Sequence, residues 1–592
     1  MIKLTSQKII FLQIILIVVL GICIYANCIN GGFIWDDHGL VKDNVYLKNW
    51  SSFLNVFTTD FGSGSGISSN FYRPLQSLMH MFGYSLWGTK TSGYHLTSIL
   101  AHILATIIFF FLLRNIFYDK AISFLASLLF LTCPVNTEAV CYISGLSDPL
   151  ALVFILTCLN LYLRFLSSNN IVFLISSLLS FVLALLSKES AVVLPLLILL
   201  YHYVFLKKIR IKILVSFFSI LFGYILFRVI VLNSSGPFIL TSFSLCKRVP
   251  NFFAAVVNYL RLLLLPFDLH MEYASKLFKF NDPEALIGLI LTFSLIIVSF
   301  IKRKNNPVLF FGIFWFFIAL LPVSNIYPIS YSFMMEHYLY LPALGFFIIF
   351  ASLLCSPFRN KLVTFFLRFC IIGVIIFYSY LTTKQSQYWK QPTTFYKRTL
   401  QFAPESWRFY NELGIEYASL GSSLKAEAAY REALRFNPNA IGVYHNLIRL
   451  YMEMGNREKL LATYKTINTI NLKLAEQYYA AGNQFKNEEK YAAAIGLFIK
   501  ALEFNQNNLI IISELASTYV LIGEYEKAII LFKKAIEIKP DFALAYNNLA
   551  VTYYYLKQYA LAIKNCNKAL ELGYPVESIF IKFLEPYKLD SL

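Results

Sequence analysis

Charge is scarce in this chain. Of its 592 residues only 14% are Asp, Glu, Lys or Arg, against 58% hydrophobic side chains, which excludes disorder, collagen and a small disulfide scaffold. The nine cysteines (23, 28, 133, 141, 158, 246, 355, 370 and 566) include no Cys-x-x-Cys pair and have no His-rich partner, so neither a zinc site nor a disulfide framework is indicated. Acids are rarest of all in the first two thirds: residues 1–400 hold 30 Lys and Arg against 13 Asp and Glu, whereas residues 401–592 hold 21 and 20. The net charge of +18 therefore belongs almost wholly to the first part. Its cations sit in short loops between apolar runs, not along one soluble face as nucleic acid would require.

Those runs are what the sequence has in abundance. Twelve stretches, 9–26, 96–113, 121–133, 149–166, 171–187, 190–206, 213–232, 249–265, 285–301, 307–322, 338–355 and 362–381, are long enough or nearly so to cross about 30 Å of hydrocarbon. The first is followed by no small-residue cleavage site and reads as a retained span. Loop cations place Lys3, Lys8, Arg114, Lys120, Arg164, Lys207, Lys208, Arg210, Lys212, Lys302, Arg303, Lys304, Arg359 and Lys361 on the inner side. Alternation holds to Lys212 and survives to Lys302 only if one segment between does not cross. Stretch 249–265, with Asn251, Asn258 and Arg261, is the most polar and is expected to be re-entrant or interfacial, leaving eleven crossings.

This orientation puts the N-terminus in the cytoplasm. It places Asp36, Asp37, Asp43, Asp60, Glu138, Asp148, Glu189, Asp268, Glu272, Asp282, Glu284 and Glu336 at the outer face and only Asp119 inside. It also delivers residue 382 onward to that outer side, the periplasm or extracellular space or the endoplasmic-reticulum lumen.

Units of 34 residues start at 407, 441, 475, 509 and 543. The first shows the tetratricopeptide pattern as Tyr410, Leu413, Gly414, Tyr417, Ala426, Tyr430, Ala433 and Pro438. The second is degenerate, with Leu460 and Ile467 where small residues belong. The expected fold is all-α: a polytopic helix bundle over 1–381 (first outer loop 27–95), a linker over 382–406, five repeats forming an α-solenoid over 407–576, and a tail over 577–592. Asn446 and Asn548, both at position 6 of their units, are candidates to hold an extended peptide, or simply satisfy a helix. The array as a whole reads as a peptide-binding surface, a spacer or a dimerisation surface.

The first outer loop begins Asn30-Gly31-Gly32-Phe33-Ile34-Trp35-Asp36-Asp37, an apolar ledge leading into two adjacent acids. Neighbouring carboxylates repel and raise a pKa, so a cation or hydroxyl donor is expected nearby, including a divalent metal at Asp36 and Asp37. An isolated Asp-Asp is equally a helix N-cap or turn. Tyr72-Arg73-Pro74-Leu75 opens a helix, Leu75 to Trp87, expected to lie on the membrane surface. His95, His102, Pro134 to Val140 with Glu138, Ser147-Asp148, Ser187-Lys188-Glu189 and Glu336-His337-Tyr338 fall on the same face. Glu138, Asp148 and Glu189 alternatively cap helix ends, and His102 alternatively packs between helices. Together they point to function, because ionisable groups at a membrane edge are costly.

The ordered set Phe-x-Trp-Asp-Asp, Tyr-Arg-Pro-Leu, Tyr-His, Pro-Val-x-Thr-Glu-Ala-Val, Lys-Glu and Glu-x-Tyr-Leu-Tyr-Leu-Pro, followed by the repeats, resembles the transmembrane-and-tetratricopeptide-repeat family of protein O-mannosyltransferases, within the GT-C superfamily. The chain departs from the family pattern at Cys133 and Asn136, which replace histidines, and at His337, which replaces an arginine. The resemblance implies an inverting transferase that moves mannose from a polyprenyl or dolichyl phosphate to Ser or Thr hydroxyls of exported proteins. It carries the general base over to Asp36, with Asp37 beside it. Arg73, His95, His102, Glu138, Asp148, Lys188, Glu189, Glu336 and Tyr338 are then candidates for the donor and substrate site, and the repeats for holding acceptor or partner protein. Apart from the metal raised above, no cofactor is expected. A rival reading is a non-catalytic membrane-tethered scaffold, which explains the repeats but not eleven crossings, since one span anchors adequately.

Overall fold

The computed structural model describes residues 6–66, 69, 71–117, 119–205, 208, 210–232, 245–273, 277–324, 332–355 and 361–587. Lys3, Lys207 and Arg359, invoked above for orientation, lie outside them. Among the described residues every regular element is helical. The chain divides into two compact units, residues 1–436 and 437–592.

In the first unit each of the twelve apolar stretches lies on a helix: α1 (Ser6–Tyr25), then, after α2 (Pro74–Trp87), α3 (Thr91–Phe117), α4 (Lys120–Thr132), α5 (Ser147–Ser168), α6 (Ile171–Ser187), α7 (Leu194–Val204), α8 (Ile211–Leu232), α9 (Leu245–Leu264), α10 (Pro283–Lys302), α11 (Pro307–Leu320), α12 (Pro342–Cys355) and α13 (Lys361–Tyr388). Among the described residues of this unit, five helices are long and apolar enough to cross a membrane, and a sixth if α4 and the short helix that follows its 51° bend count as one span; four further apolar helices of the unit are shorter. Phe222, Ile230, Ile290 and Ile301 are each more than 60% exposed. Side chains this apolar, turned outward from helices of that length, face lipid, so this is a membrane protein.

Helix α9 is of another kind. It carries Lys247, Arg248, Asn258 and Arg261 around a buried stripe of Asn251, Ala254, Ala255, Tyr259 and Leu262, the amphipathic pattern of a helix with one wet face.

Segment 382–406, expected to be a linker, is helical: α13 runs on to Tyr388, and α14 (Pro392–Phe402) follows with proline at its first position. The first repeat, α15 (Trp407–Ser419) and α16 (Ser423–Phe436), belongs to the same compact unit as the bundle, so the boundary between units falls at 436 and not at 406. Within that repeat Gly414 is required by packing, because a Cβ there would stand 2.5 Å from the Tyr430 ring. Glycine at position 8 makes room for the aromatic at position 24.

The second unit holds α17 (Ile441–Glu453), α18 (Arg457–Asn487), α19 (Tyr491–Phe504), α20 (Leu509–Leu521), α21 (Tyr525–Ile538), α22 (Ala543–Tyr555) and α23 (Tyr559–Glu571). Helices begin at 407, 441, 509 and 543, as the repeat register requires. At 475 none begins. Helix α18 is continuous for 31 residues and fuses the second helix of one unit with the first of the next. Where the first and fourth units have Pro438 and Pro540, the second has Leu472, and no proline or glycine lies between 457 and 481. With nothing to remove an amide or favour a turn, the helix propagates. The tail contributes the helix Ser578–Leu584, and residues 588–592 lie outside the described set.

Candidate active site

The Asp-Asp pair sits on a strained bend. Trp35 has φ +55°, a left-handed conformation that costs a bulky residue on the order of 1 kcal/mol or more. Two contacts hold it: its N–H donates to the Tyr396 hydroxyl at 3.0 Å, and its indole stacks on Phe409 with centroids 4.4 Å apart and planes 27° from parallel. Both partners come from beyond α13, from the former linker and the first repeat.

The bend gives the two aspartates different environments. Asp37 is 1% exposed. One of its carboxylate oxygens accepts the Ile34 N–H at 3.0 Å; the other accepts the Ser144 N–H at 2.8 Å and the Ser144 hydroxyl at 2.6 Å. Its side chain does not cap the π-helical turn His38–Lys42 that follows, so the N-cap reading of the pair fails. Burial pushes the Asp37 carboxyl up to about 7, against the opposing pull of the Ser144 and Ile34 donors.

Asp36 is open to solvent, yet protein crowds it closely enough that burial pushes its carboxyl up to about 6. It therefore lines a recess and does not stand on a convex surface. The Tyr142 hydroxyl opposes that rise, although it is buried and closes no hydrogen bond of standard geometry. Glu412 of α15 adds to the recess: burial pushes it up to about 7, Asn411 holds it down, and the charge of Asp36 pushes it further up.

One turn organises the rest. Between α4 and α5, residues 137–148 place Tyr142 at Asp36, Ser144 at Asp37, Ser147 at Arg73 and Asp148 at Lys188. The Ser144 carbonyl also accepts the Gln76 side-chain amide of α2 at 2.7 Å. Arg73 pairs with Glu189 at 3.0 Å and Lys188 with Asp148 at 2.6 Å, all four side chains less than 15% exposed. Glu189 also accepts the Tyr72 N–H at 3.2 Å and feels the charge of Arg228. Burial pulls Lys188 below the usual lysine range, and Asp148 counters it.

At the other side of the same turn Glu138 receives His337 twice, from the ring Nδ1 at 2.6 Å and from the backbone N–H at 2.9 Å. Glu336 accepts the His270 N–H at 2.6 Å and the Tyr273 hydroxyl at 2.7 Å. Burial, then the neighbouring Glu138, hold Glu336 well above the usual carboxylate range. A small cavity of about 10 Å³, room for about one water, is lined by Glu138, Glu336, His270 and Arg398.

Other expectations are not brought to these groups. His102 is fully buried, its two ring nitrogens engaged by the Tyr340 hydroxyl at 2.6 Å and the Leu131 carbonyl at 3.3 Å. It is a helix-packing histidine, and its place among the donor-site candidates is corrected on that ground. His95 is buried behind the loop against Gly31, and neither of its ring nitrogens closes a hydrogen bond of standard geometry. Tyr338 is half-buried, its ring 4.7 Å from that of His337. In the second unit Asn446 and Asn548 are half-buried, the first accepting from Arg449 at 3.4 Å and the second from Asn547 at 3.2 Å. Among the described residues no three His, Cys, Asp or Glu side chains converge as metal ligands.

Sequence reasoning missed Tyr142, Ser144, Tyr396, His270, Tyr273 and Glu412. A signal existed only for the last, which holds position 6 of the first unit, the position that singled out Asn446 and Asn548 in others.

Comparison with known proteins bears out the resemblance. Residues 73–235 match the model of the dolichyl-phosphate-mannose-protein mannosyltransferases, which takes in Arg73, Glu138, Asp148, Lys188 and Glu189 but not Asp36 or Asp37. Residues 408–440 and 543–572 match the tetratricopeptide repeat, and residues 516–557 a second repeat model. A protein O-mannosyl-transferase of Caenorhabditis elegans is 28% identical over 449 residues, 71% of this chain and 62% of that protein. One of Mus musculus is 31% identical over 157 residues, 26% of this chain and 18% of that protein. The chain thus spans less than two thirds of the length of these relatives. The crystal structure of MamA is 28% identical, covers 27% of this chain and 94% of MamA, and superposes with a TM-score of 0.17.

Proposed function

We propose that this chain, similar to the O-mannosyl-transferases through both its parts, is itself an integral-membrane glycosyltransferase of GT-C type. It moves mannose from a polyprenyl or dolichyl phosphate to Ser or Thr hydroxyls of exported proteins, with inversion at the anomeric carbon, and its repeats hold the acceptor or a partner. The observation that carries this reading is the division of labour within one dipeptide. Asp37 is fully engaged in holding the loop, and that leaves Asp36 presented in a recess with its carboxyl pushed up to about 6. A carboxylate in that range ionises near neutrality and is basic enough to take a proton from an attacking hydroxyl.

Arg73, Lys188 and Arg228, set against Asp148 and Glu189, form a cluster with one more positive than negative charge, tied to the Asp36 recess through residues 142–148. We assign the donor phosphate there, where cations offset the charge that develops on the leaving group. Glu138, Glu336 and Tyr338 are assigned to the sugar side. A divalent cation at the Asp-Asp pair would find Asp36 as its open protein ligand and complete its shell from phosphate and water; chelation followed by readdition of Mn²⁺ tests this. The N-terminus is assigned to the cytoplasm, and the recess and repeats to the outer side.

The test is transfer of labelled mannose from polyprenyl-phosphate-mannose to a Ser/Thr peptide by the purified full chain in nanodiscs. Asp36→Asn is expected to lower kcat by at least about 100-fold, the scale of a lost general base. Undiminished activity in Asp36→Asn sinks the assignment of Asp36 as the base, whereas a wild-type chain that transfers no mannose favours the tethered scaffold.

A further inference from the structure

Helix α2 turns a polar row inward. Arg73 at its N-cap, Gln76, Ser77 and His80 recur at the three- and four-residue spacing that puts side chains on one face of a helix. Gln76, Ser77 and His80 are each no more than 5% exposed, and such burial is costly unless the row finds partners. It finds them in the turn between α4 and α5. Arg73 reaches the Ser147 hydroxyl at 3.5 Å, and the Gln76 amide nitrogen donates to the Ser144 carbonyl at 2.7 Å. A carbonyl only accepts, so the nitrogen of the amide, not its oxygen, faces Ser144. Its second hydrogen is directed at His80 Nε2, 3.3 Å away and one helical turn on, which accepts as the neutral ring.

Ser144 is the residue whose N–H and hydroxyl hold Asp37. A line of hydrogen bonds therefore runs from His80 through Gln76 and Ser144 to Asp37, the acid next to Asp36. Around it the first outer loop, α2 and the turn share an apolar cluster that includes Phe33, Val41, Met81 and Ile143. Apolar burial is non-directional and lets such surfaces slide, whereas a short hydrogen bond fixes where the turn stops along the helix. Stability alone does not explain the row: Gln76 Oε1 and His80 Nδ1 are buried and close no hydrogen bond of standard geometry, a cost that an apolar pair would avoid.

We propose that Gln76 is a positioning residue of the transfer site: by pinning the Ser144 carbonyl to α2, it sets the Asp36 base on one side of the turn in register with the Arg73 cation on the other. This rests on the reading of Asp36 as the base and of Arg73 as a donor-phosphate group. Arg73 and Gln76 stand one turn apart on α2 and contact residues three apart in the turn. The leaving phosphate and the group that takes the acceptor's proton are thus measured from the same rigid helix. Gln76 touches neither substrate, so binding of each is unchanged by its loss, while the line-up of hydroxyl, anomeric carbon and phosphate is not. A misplacement of about 1 Å in such a line-up costs on the order of 100-fold in rate.

The experiment compares wild type, Gln76→Met, Gln76→Asn, Ser144→Ala, the double variant Gln76→Met with Ser144→Ala, and Asp36→Asn as full chains in nanodiscs. Gln76→Met keeps the length of the side chain and loses its donors, and Gln76→Asn keeps the amide on a shorter stem. Measured are kcat and KM for the lipid donor and the peptide, amide exchange over 34–42, and the thermal unfolding midpoint. Gln76→Met is expected to lower kcat by about tenfold or more, with both KM values within about twofold of wild type, and to speed exchange over 34–42. Combined with Ser144→Ala it should lose less than the two single effects together, because both act on the Asp37 contact. Gln76→Asn should fall between wild type and Gln76→Met. An unchanged kcat in Gln76→Met while Asp36→Asn is inactive overturns the proposal and leaves the functional reading standing. So does strict additivity with Ser144→Ala, or a loss of rate no larger than the loss of folded chain, either of which makes Gln76 structural. If Gln76→Met does not fold, the same criteria are applied to Gln76→Asn. A wild type that transfers no mannose, although exchange over 34–42 responds to Gln76→Met, sinks the functional reading and the part of Gln76 in transfer with it.

Discussion

Ser144 closes on Asp37 from 107 residues along the chain, its N–H and its hydroxyl donating to the same carboxylate oxygen at 2.8 and 2.6 Å. This contact joins the first outer loop to the turn between α4 and α5 and so fixes Asp36 against Tyr142. Ser144→Ala removes the hydroxyl bond and keeps the backbone one. The expected cost is about 2 kcal/mol of local stability, the value of a hydrogen bond to a charged group, read as faster amide exchange over 34–42. Transfer should fall while KM for the lipid donor stays within about twofold, because uniform donor binding is untouched. A rise in donor KM with kcat unchanged would place the serine in the donor site instead.

The same carboxylate makes the loop sensitive to pH. Asp37 stands at about 7 in the folded chain, well above the aspartate value of about 3.9 in an unfolded one. Between those values the folded state binds more protons, so stability falls as pH rises and the contribution is lost once pH passes about 7. Amides of 34–42, corrected for intrinsic exchange, should be better protected at pH 5 than at pH 8. In Asp37→Asn that dependence should flatten. Protection that increases from pH 5 to pH 8 would contradict the assignment.

Lys188 and Asp148 form a buried pair at 2.6 Å, each 8% exposed. Removing one charge strands the other, at about 3–5 kcal/mol, whereas removing both is far less costly. Lys188→Met and Asp148→Asn should each lower the thermal unfolding midpoint of the detergent-solubilised chain, and the double variant should recover part of the loss. Lys188→Met should also raise KM for the lipid phosphate, alone and in the double variant, whereas Asp148→Asn alone should not. Strict additivity of the two single losses would show that the pair does not interact.

How much of this was legible in the sequence divides along the range of the contacts. Period and register are local, so the repeat starts at 407, 441, 509 and 543 could be read from spacing alone, and each apolar run was a helix because it had the length and composition of one. Asp36 stood out beside Asp37 as an unfavourable pair, but nothing local says which of two adjacent acids is buried. That depends on Ser144, and on the bend at Trp35 that Tyr396 and Phe409 hold from more than 360 residues away. His102 failed for a related reason. His102 has the composition of a ligand and the surroundings of a core residue, and only the Tyr340 hydroxyl and the Leu131 carbonyl distinguish the two. The linker over 382–406 was polar enough to read as a connection, yet Phe395 and Tyr396 are buried against the bundle's own loop.

Helix α18 offers a test of why one repeat boundary vanished. Leu472 occupies the place of Pro438 and Pro540 and is 46% exposed, so replacing it disturbs little packing. Leu472→Pro deletes one helical amide and sets a pyrrolidine ring against the carbonyl four residues earlier, at about 3 kcal/mol in a helix interior. Amide exchange over 465–479 in the full chain should then accelerate by about 100-fold, the equivalent of that energy, while Leu472→Ala leaves it close to wild type. Both halves of α18 should stay protected at their outer ends, because Thr463 and Ile467 on one side and Ala475 and Gly482 on the other are buried, the latter two beside Phe498 of α19. If Leu472→Pro exchanged no faster than wild type, the two helices would already be separate at 472, as in an ordinary repeat. The missing proline would then not be the cause of the fusion.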